Sequence, residues 1–156
     1  MATLPRPGSA GMRLWNALTG ANVTAYRLTG GRLGGRWKMR NPILLLDHRG
    51  ARSGKVRTAP LAYMRDGDDL VVVASRGGSD SNPAWLHNLR ANPEVEVQVG
   101  SERYTVVASE VDAQERARLW PRLVEENPDY ASYQRKTDRE IPVIVLRRAG
   151  GSAGPR

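Results

Sequence analysis

Apolar positions along this chain fall into distinct rhythms, and each rhythm predicts an element. Pro42-Ile43-Leu44-Leu45-Leu46 is a short unbroken apolar run, as expected of a strand buried on both faces. Arg57 to Met64 and Leu70-Val71-Val72-Val73-Ala74 predict two more strands, with the hairpin signal Asp66-Gly67 between them. Val95, Val97 and Val99 alternate with Glu94, Glu96 and Gln98, and Gly100-Ser101-Glu102 then turns the chain into Tyr104-Thr105-Val106-Val107-Ala108. That pair reads as a hairpin with one exposed face. A last strand is expected over Ile141 to Leu146, with Pro142 at its start or on an edge.

Helical spacing is looser. Met12, Leu14, Trp15, Leu18, Val23, Tyr26 and Leu28 predict one or two short amphipathic helices, interrupted at Gly20. The run Thr29 to Arg36 is too rich in glycine for a stable helix and reads as a turn. Ser81 or Asn82 is placed to cap a helix with Pro83 at its first position and Pro93 beyond its end. Asp112, followed three residues later by Glu115, opens a further helix that Pro121 should kink, and a shorter one is expected from Pro128 to Lys136. About six strands joined by hairpins, with about four short helices and no regular alternation, predict an α+β fold. The expected architecture is a largely antiparallel sheet or barrel with peripheral helices.

At 156 residues the chain suits one domain, expected over residues 12–148, with its first part (12–40) helical and basic. Residues 1–11 and 149–156 have the Pro- and Gly-rich composition of tails. The absence of cysteine excludes disulfides and thiolate chemistry and suits a reducing cytoplasm. With only His48 and His87 available, a zinc site is not expected either. No apolar run approaches the roughly 20 residues of a membrane span, and none near the start suits a signal peptide, so a soluble protein is expected.

The net charge of +8 sits almost wholly in the first third, where Asp47 is the one acidic residue up to Lys55. Nucleic acid, an acidic membrane surface, a polyanionic small molecule or plain solvation would each account for it. Nucleic acid ranks last, because the basic loops are broken by glycine and lack interleaved aromatics. With Arg13 and Arg27 beside Trp15 and Tyr26, the first helical segment can rest on a membrane, pack on the domain or act as a lid.

Two glycine-marked loops carry the candidate chemistry. The first spans Asp47 to Leu61 and sets Arg49, Arg52, Lys55 and Arg57 among Gly50, Gly54 and Ser53, so that charge, backbone N–H groups and a hydroxyl can converge on phosphate. The second, Val73-Ala74-Ser75-Arg76-Gly77-Gly78, runs from a strand through Ser79 to Asn82 into a short helix.

These loops belong to an ordered series: Leu28-Thr29-Gly30-Gly31-Arg32, Ala51-Arg52-Ser53-Gly54, Arg57-Thr58-Ala59-Pro60-Leu61, Val73 to Gly78, Pro83-Ala84-Trp85, Asn88 to Pro93 and Thr137 to Pro142. The series resembles the deazaflavin-dependent nitroreductase family, from about Asn16 to Leu146. The resemblance implies a split β-barrel like that of pyridoxamine-phosphate oxidases, binding the 8-hydroxy-5-deazaflavin coenzyme F-420 in place of flavin mononucleotide. It implies hydride transfer to a quinone, an enone or a nitroaromatic acceptor. The coenzyme's phosphodiester, lactyl carboxylate and glutamyl tail give the basic loop a partner: Arg52, Ser53, Gly54, Lys55 and Arg57 match the family's phosphate-and-tail loop, with Arg49 nearby. Thr58, Ala59, Pro60, Leu61, Val73, Ala74, Ser75, Gly77, Gly78, Trp85 and Asn88 match positions around the ring and ribityl chain.

On the same resemblance, Tyr130 and Tyr133, on one helical face, line the acceptor pocket and donate a proton, while Ser75 bonds the acceptor or the ring. Backbone N–H groups near Ser75 or Ala59 would offset charge on the ring. Packing roles compete with these for both tyrosines and for Trp85, and His48 and His87 read as structural or surface residues. Arg139 is expected to tie the last loop to a carboxylate. This chain departs from relatives at Ala51-Arg52 (an Arg-Lys pair), Asn127 (an aromatic), Leu86 (a Tyr) and Asp47-His48 (a Thr pair). A binding protein without turnover and a flavin-mononucleotide enzyme are the alternatives. Pairing into a homodimer is open, since split barrels commonly pair.

Overall fold

Tyr63 decides the topology. In the computed structural model, which describes residues 10–33 and 41–150, the single strand expected over Arg57 to Met64 divides at this residue. Strand β2 (Val56–Ala62) pairs antiparallel with β1 (Ile43–Arg49). After Tyr63, whose N–H donates to Pro42 O at 3.1 Å, the short β3 (Met64–Asp66) pairs instead with β4 (Asp69–Val73) across Gly67. The chain thereby crosses from one edge of the sheet to the other.

Strands β5 (Glu94–Val99), β6 (Glu102–Glu110) and β7 (Val143–Arg148) complete a seven-stranded antiparallel sheet in the order β2-β1-β5-β6-β7-β4-β3. Although β2 and β4 lie near opposite edges, they touch, so the sheet curls into a half barrel. The expected α+β split barrel is what forms, with one more strand than the hydrophobic pattern indicated.

Alternation within the strands assigns the layers. Leu44, Leu46, Leu70, Val72, Val95, Val97, Val106, Ile144 and Leu146 point inward and pack on Trp85, Leu86 and Leu89 of helix α2 (Ala84–Ala91). Outward-facing Val71, Val73, Val143 and Val145 are covered by Leu119 and Leu123 of a second helix and by Tyr130 of a third. These two outer helices are labelled α3 (Ala113–Glu126) and α4 (Asp129–Arg135). Ile43 and Leu45 face the first helix, α1 (Ala10–Thr29), through Val23 and Tyr26. Helices on both faces explain the unbroken apolar runs of β1 and β4, whereas Glu94 and Glu96 of β5 stay exposed.

Two local expectations change. Helix α1 runs through Gly20 as one 20-residue helix, because its packed stripe outweighs the cost of about 1 kcal/mol for one glycine. Pro83 takes the cap position of α2 with no side-chain cap, since Ser81 and Asn82 accept from Arg76 and Arg139 instead. Helix α3 is capped as expected, by Asp112 accepting from the Glu115 N–H at 2.8 Å, and continues through Pro121.

No helix among the described residues is long and apolar enough to cross a membrane. Of the four residues offered for a membrane contact, Tyr26 is 2% exposed beneath α1 and Arg27 is paired with Asp47. The side chains of Arg13 and Trp15, and most of the two expected tails, lie outside the described residues.

Candidate cofactor and acceptor site

Strand β2 and the start of α2 together line two adjoining depressions. One is a basic groove of about 610 Å³ bordered by Arg52, Ser53, Arg57, Ala84, His87 and Asn88. Its loop is closed by backbone bonds, Gly50 N–H to Lys55 O at 2.8 Å and Gly54 N–H to Gly50 O at 2.9 Å, with Gly54 at φ 69°. Arg49 spends a guanidinium N–H on Gly54 O at 2.9 Å, so it braces the loop. Asn88 is also a brace, accepting from Ala51 N–H at 3.0 Å and facing His48 Nδ1 at 2.8 Å. His48 is 6% exposed, and burial, helped by Arg57 and opposed by Asp47, lowers its pKa. A neutral ring with an accepting Nδ1 suits that bond, so His48 is structural as expected.

Arg52, Lys55 and Arg57 are exposed and have no acidic partner among the described residues, while Arg27, Arg90, Arg103, Arg118, Arg122, Arg147 and Arg148 all have one. The groove therefore keeps a positive field that an anion can neutralise.

The other depression is a cavity of about 490 Å³, within the range of small-ligand pockets. Its walls are Ile43, Ala59, Pro60, Leu61, Ala62, Val73 and Trp85, and its polar atoms come from Thr19, Asn22, Ser75, Arg76, Asn127, Tyr130 and Tyr133. The 3-10 turn Arg76–Gly78 forms one rim, with Arg76 at φ 45° and Gly77 at φ 64°. At Gly78 (φ 83°) a Cβ would lie 2.8 Å from Tyr133 O, so only glycine lets α4 settle on this turn. Arg139 ties the segment from behind, donating to Ser79 O (2.7 Å), Asn82 Oδ1 (2.8 Å), Ser75 O (2.9 Å) and Ala74 O (3.3 Å). Its partners are carbonyl oxygens, not the carboxylate that was expected.

Tyr130 and Tyr133 meet edge to face, with ring centroids 6.4 Å apart, at the cavity wall. Burial pushes the Tyr130 hydroxyl up to about 12, with Asn127 opposing. The pKa of Tyr133 is raised by burial and by Asp129. Both phenols are protonated at neutral pH and can donate.

Most of the residues read from the sequence thus gather. Ala59, Pro60, Leu61, Val73, Ser75, Gly77, Trp85, Tyr130 and Tyr133 line the cavity, and Arg52, Ser53, Arg57 and Asn88 line the groove. Trp85 serves both readings, as cavity wall and as a member of the inner core. Ala74 and Gly78 are buried and frame the site from behind. The Thr58 hydroxyl turns away, donating to Asp47 Oδ1 at 2.5 Å and accepting from Arg27 at 3.1 Å. Thr19, Asn22, Ile43, Ala62 and Pro83 were not anticipated; a strand or helix pattern shows which face is buried, not that α1 closes on this cavity.

Fold and site together define a split-barrel protein with an apolar cavity beside a cationic groove. The chain belongs to the F420H(2)-dependent quinone reductase family, whose model matches residues 18–148. It is 47% identical over 126 residues to an F420H(2)-dependent quinone reductase of Mycobacterium tuberculosis (strain ATCC 25618 / H37Rv), covering 79% of this chain and 85% of that one. A solved F420-H2 dependent reductase (FDR-A) shares the fold at a TM-score of 0.63 and 42% identity, over 68% of this chain and 94% of that one. A second solved structure, described as a domain-swapped dimer, matches at a TM-score of 0.65 and 36% identity, over 86% of this chain and 98% of its own.

Proposed function

We propose that this protein is an oxidoreductase that uses reduced coenzyme F-420 to reduce a quinone. The observation that carries the reading is the apolar cavity beside a groove whose cations, Arg52 and Arg57, have no acidic partner among the described residues. The residues present fit the coenzyme. Pro60, Leu61, Val73 and Trp85 offer apolar surface to its planar ring, and Arg52, Ser53, Lys55 and Arg57 offer charge and a hydroxyl to its phosphodiester and carboxylates. When bound, the coenzyme supplies a two-electron hydride and disfavours one-electron chemistry.

The protein's own tasks are to orient, to exclude water and to move a proton. Trp85 and the β2 residues Ala59 to Ala62 form the dry side of the cavity. Tyr133, half-buried and protonated, donates to the oxygen of the acceptor as it gains electrons, and Tyr130 behind it fixes the ring's angle. Ser75 holds either the acceptor or the ring by its hydroxyl. Nitroaromatic reduction is incidental to a pocket of this kind.

The setting we propose is the cytoplasm, with peripheral contact to the membrane, where lipid quinones dissolve. Exposed Leu28 and Leu33 on either side of Arg32 support that contact. Pairing with a second copy is supported by the relative described as a domain-swapped dimer. The test of function is the absorbance of the reduced coenzyme mixed with the protein and a panel of quinones, enones and nitroaromatics. Loss of absorbance fastest with quinones is expected; an unchanged signal across all quinones would contradict the proposal.

A further inference from the structure

Helix α1 supplies Thr19 and Asn22 to the cavity from outside the sheet, and nothing in its own sequence fixes how far it is rolled. Thr19, Asn22, Val23 and Tyr26 lie on one stripe, at the i, i+3, i+4 and i+7 spacing that faces the sheet. Two attachments near the helix's C-terminal end set that stripe. The first is the Tyr26 hydroxyl, which accepts from Gly100 N–H at 2.8 Å and lies 2.9 Å from Ile43 O, to which it donates. The second is Arg27, which donates to Asp47 Oδ1 at 2.7 Å and to Thr58 Oγ1 at 3.1 Å.

Asp47 is the hub of the second attachment. Its carboxylate is 16% exposed and accepts from Arg27, from Thr58 at 2.5 Å, and through Oδ2 from Arg103 at 3.3 Å. Arg103 in turn is held by Glu96 on the neighbouring strand. The arrangement joins α1, β1, β2 and β6 through one side chain, on the face of β2 opposite the basic groove.

We infer that Asp47 is a positioning residue for the acceptor: by holding Arg27 and Thr58 it fixes the roll of α1, and with it the Thr19 and Asn22 wall of the cavity. The inference rests on the quinone-reductase reading, because the coenzyme contacts assigned above come from β2, the end of β4, the first basic loop and α2, and leave α1 to the acceptor. Thr19 lies eight residues from Arg27, about 12 Å along the helix, so a small roll at the attachment displaces the wall without touching the groove. Thr58 acts in this attachment, although its neighbours Arg57 and Ala59 face the two depressions.

The test compares wild type, Asp47→Asn, Arg27→Gln and Arg27→Lys. Fluorescence titration with the oxidised coenzyme gives the coenzyme Kd, and steady-state kinetics with a soluble 1,4-naphthoquinone give KM and kcat. Asp47→Asn and Arg27→Gln are expected to raise the quinone KM by about three- to tenfold, with coenzyme Kd and kcat within about twofold of wild type. Arg27→Lys keeps the charge and should restore KM most of the way. A quinone KM unchanged in both charge-deleting variants would overturn the inference, and so would a coenzyme Kd that rises in step with KM. Should Asp47→Asn fail to fold, Arg27→Gln reads the same attachment from the helix side. A wild-type protein that neither binds the coenzyme nor reduces the quinone would bring down the functional reading and this inference with it.

Discussion

The proposed function gives Arg57 and Tyr133 separate tasks, coenzyme binding and proton transfer. Arg57 stands exposed in the groove without an acidic partner among the described residues, so its charge is available to the coenzyme's anionic chain. Arg57→Ala should weaken coenzyme binding by about tenfold, with a larger loss for longer glutamyl tails, as titration with coenzymes of different tail length would read. A loss independent of tail length would mean that the groove does not hold the tail. Tyr133→Phe removes only the hydroxyl, so kcat should fall by about tenfold or more while coenzyme Kd stays put; an unchanged kcat would leave Tyr133 as a packing residue.

At Gly78 the demand is steric. A Cβ there meets Tyr133 O at 2.8 Å, on a backbone at φ 83°. Gly78→Ala should cost about 1–3 kcal/mol of stability and lower turnover by lifting α4, measurable as a fall in Tm together with a fall in kcat. A variant with unchanged Tm and unchanged kcat would show that the turn yields instead. The loop chemistry was legible at this scale because it is local: cations, glycines and a serine within ten residues need no tertiary contact to suggest an anion. The bonds of the Thr58 hydroxyl to Asp47 and to Arg27 of α1 were not readable, because they depend on how α1 packs against β2. The carbonyl partners of Arg139 were not readable, since they lie some 60 residues away in the chain.

Among the elements, α3 is clamped to the β3–β4 hairpin by Asp66. Its carboxylate accepts from Arg118 at 2.6 Å and from Arg122 at 2.7 Å, and those two guanidinium groups hold its pKa down to about 2, against an ordinary 3.8. Because the folded-state pKa is depressed, the stability Asp66 contributes is complete above the unfolded value of 3.8 and is lost as pH falls toward 2. Both arginines are nearly half exposed, so solvent screening holds the contribution to about 1 kcal/mol. Asp66→Asn should therefore lower stability by about that amount at pH 7 and narrow the gap to wild type between pH 4 and pH 2, followed by urea unfolding; a gap that stays constant with pH would contradict the assignment.

The elements themselves were largely foreseen, since apolar runs on β1 and β4 and alternation on β5 follow directly from which faces are covered. Two features were not. The break at Tyr63 is hidden because apolar residues continue across it and its N–H partner, Pro42 O, is distant in sequence. The continuity of α1 past Gly20 depends on Tyr26 reaching Ile43 and Gly100.

Among the described residues, acidic partners are shared unevenly between the cations. Arg103, Arg147 and Arg148 of β6 and β7 and Arg116, Arg118 and Arg122 of α3 are matched with Asp or Glu, while Arg52, Lys55 and Arg57 are left without an acidic partner among the described residues, with Arg52 and Arg57 in the groove beside the apolar cavity. Curling of the sheet brings this about: β2, carried to one edge, meets the end of β4 and the start of α2, so that two separate sequence motifs, Asp47 to Leu61 and Val73 to Gly78, share one site. The net charge pointed to an anionic partner, and the fold sets Arg52 and Arg57 of that basic segment on one groove beside the cavity. The most direct test of the central claim is a fluorescence titration of the purified protein with oxidised coenzyme F-420, run beside the same titration with flavin mononucleotide. Saturable binding of the deazaflavin alone, weakened by added salt, is the result this account predicts. Binding of flavin mononucleotide alone, or of neither, would contradict it.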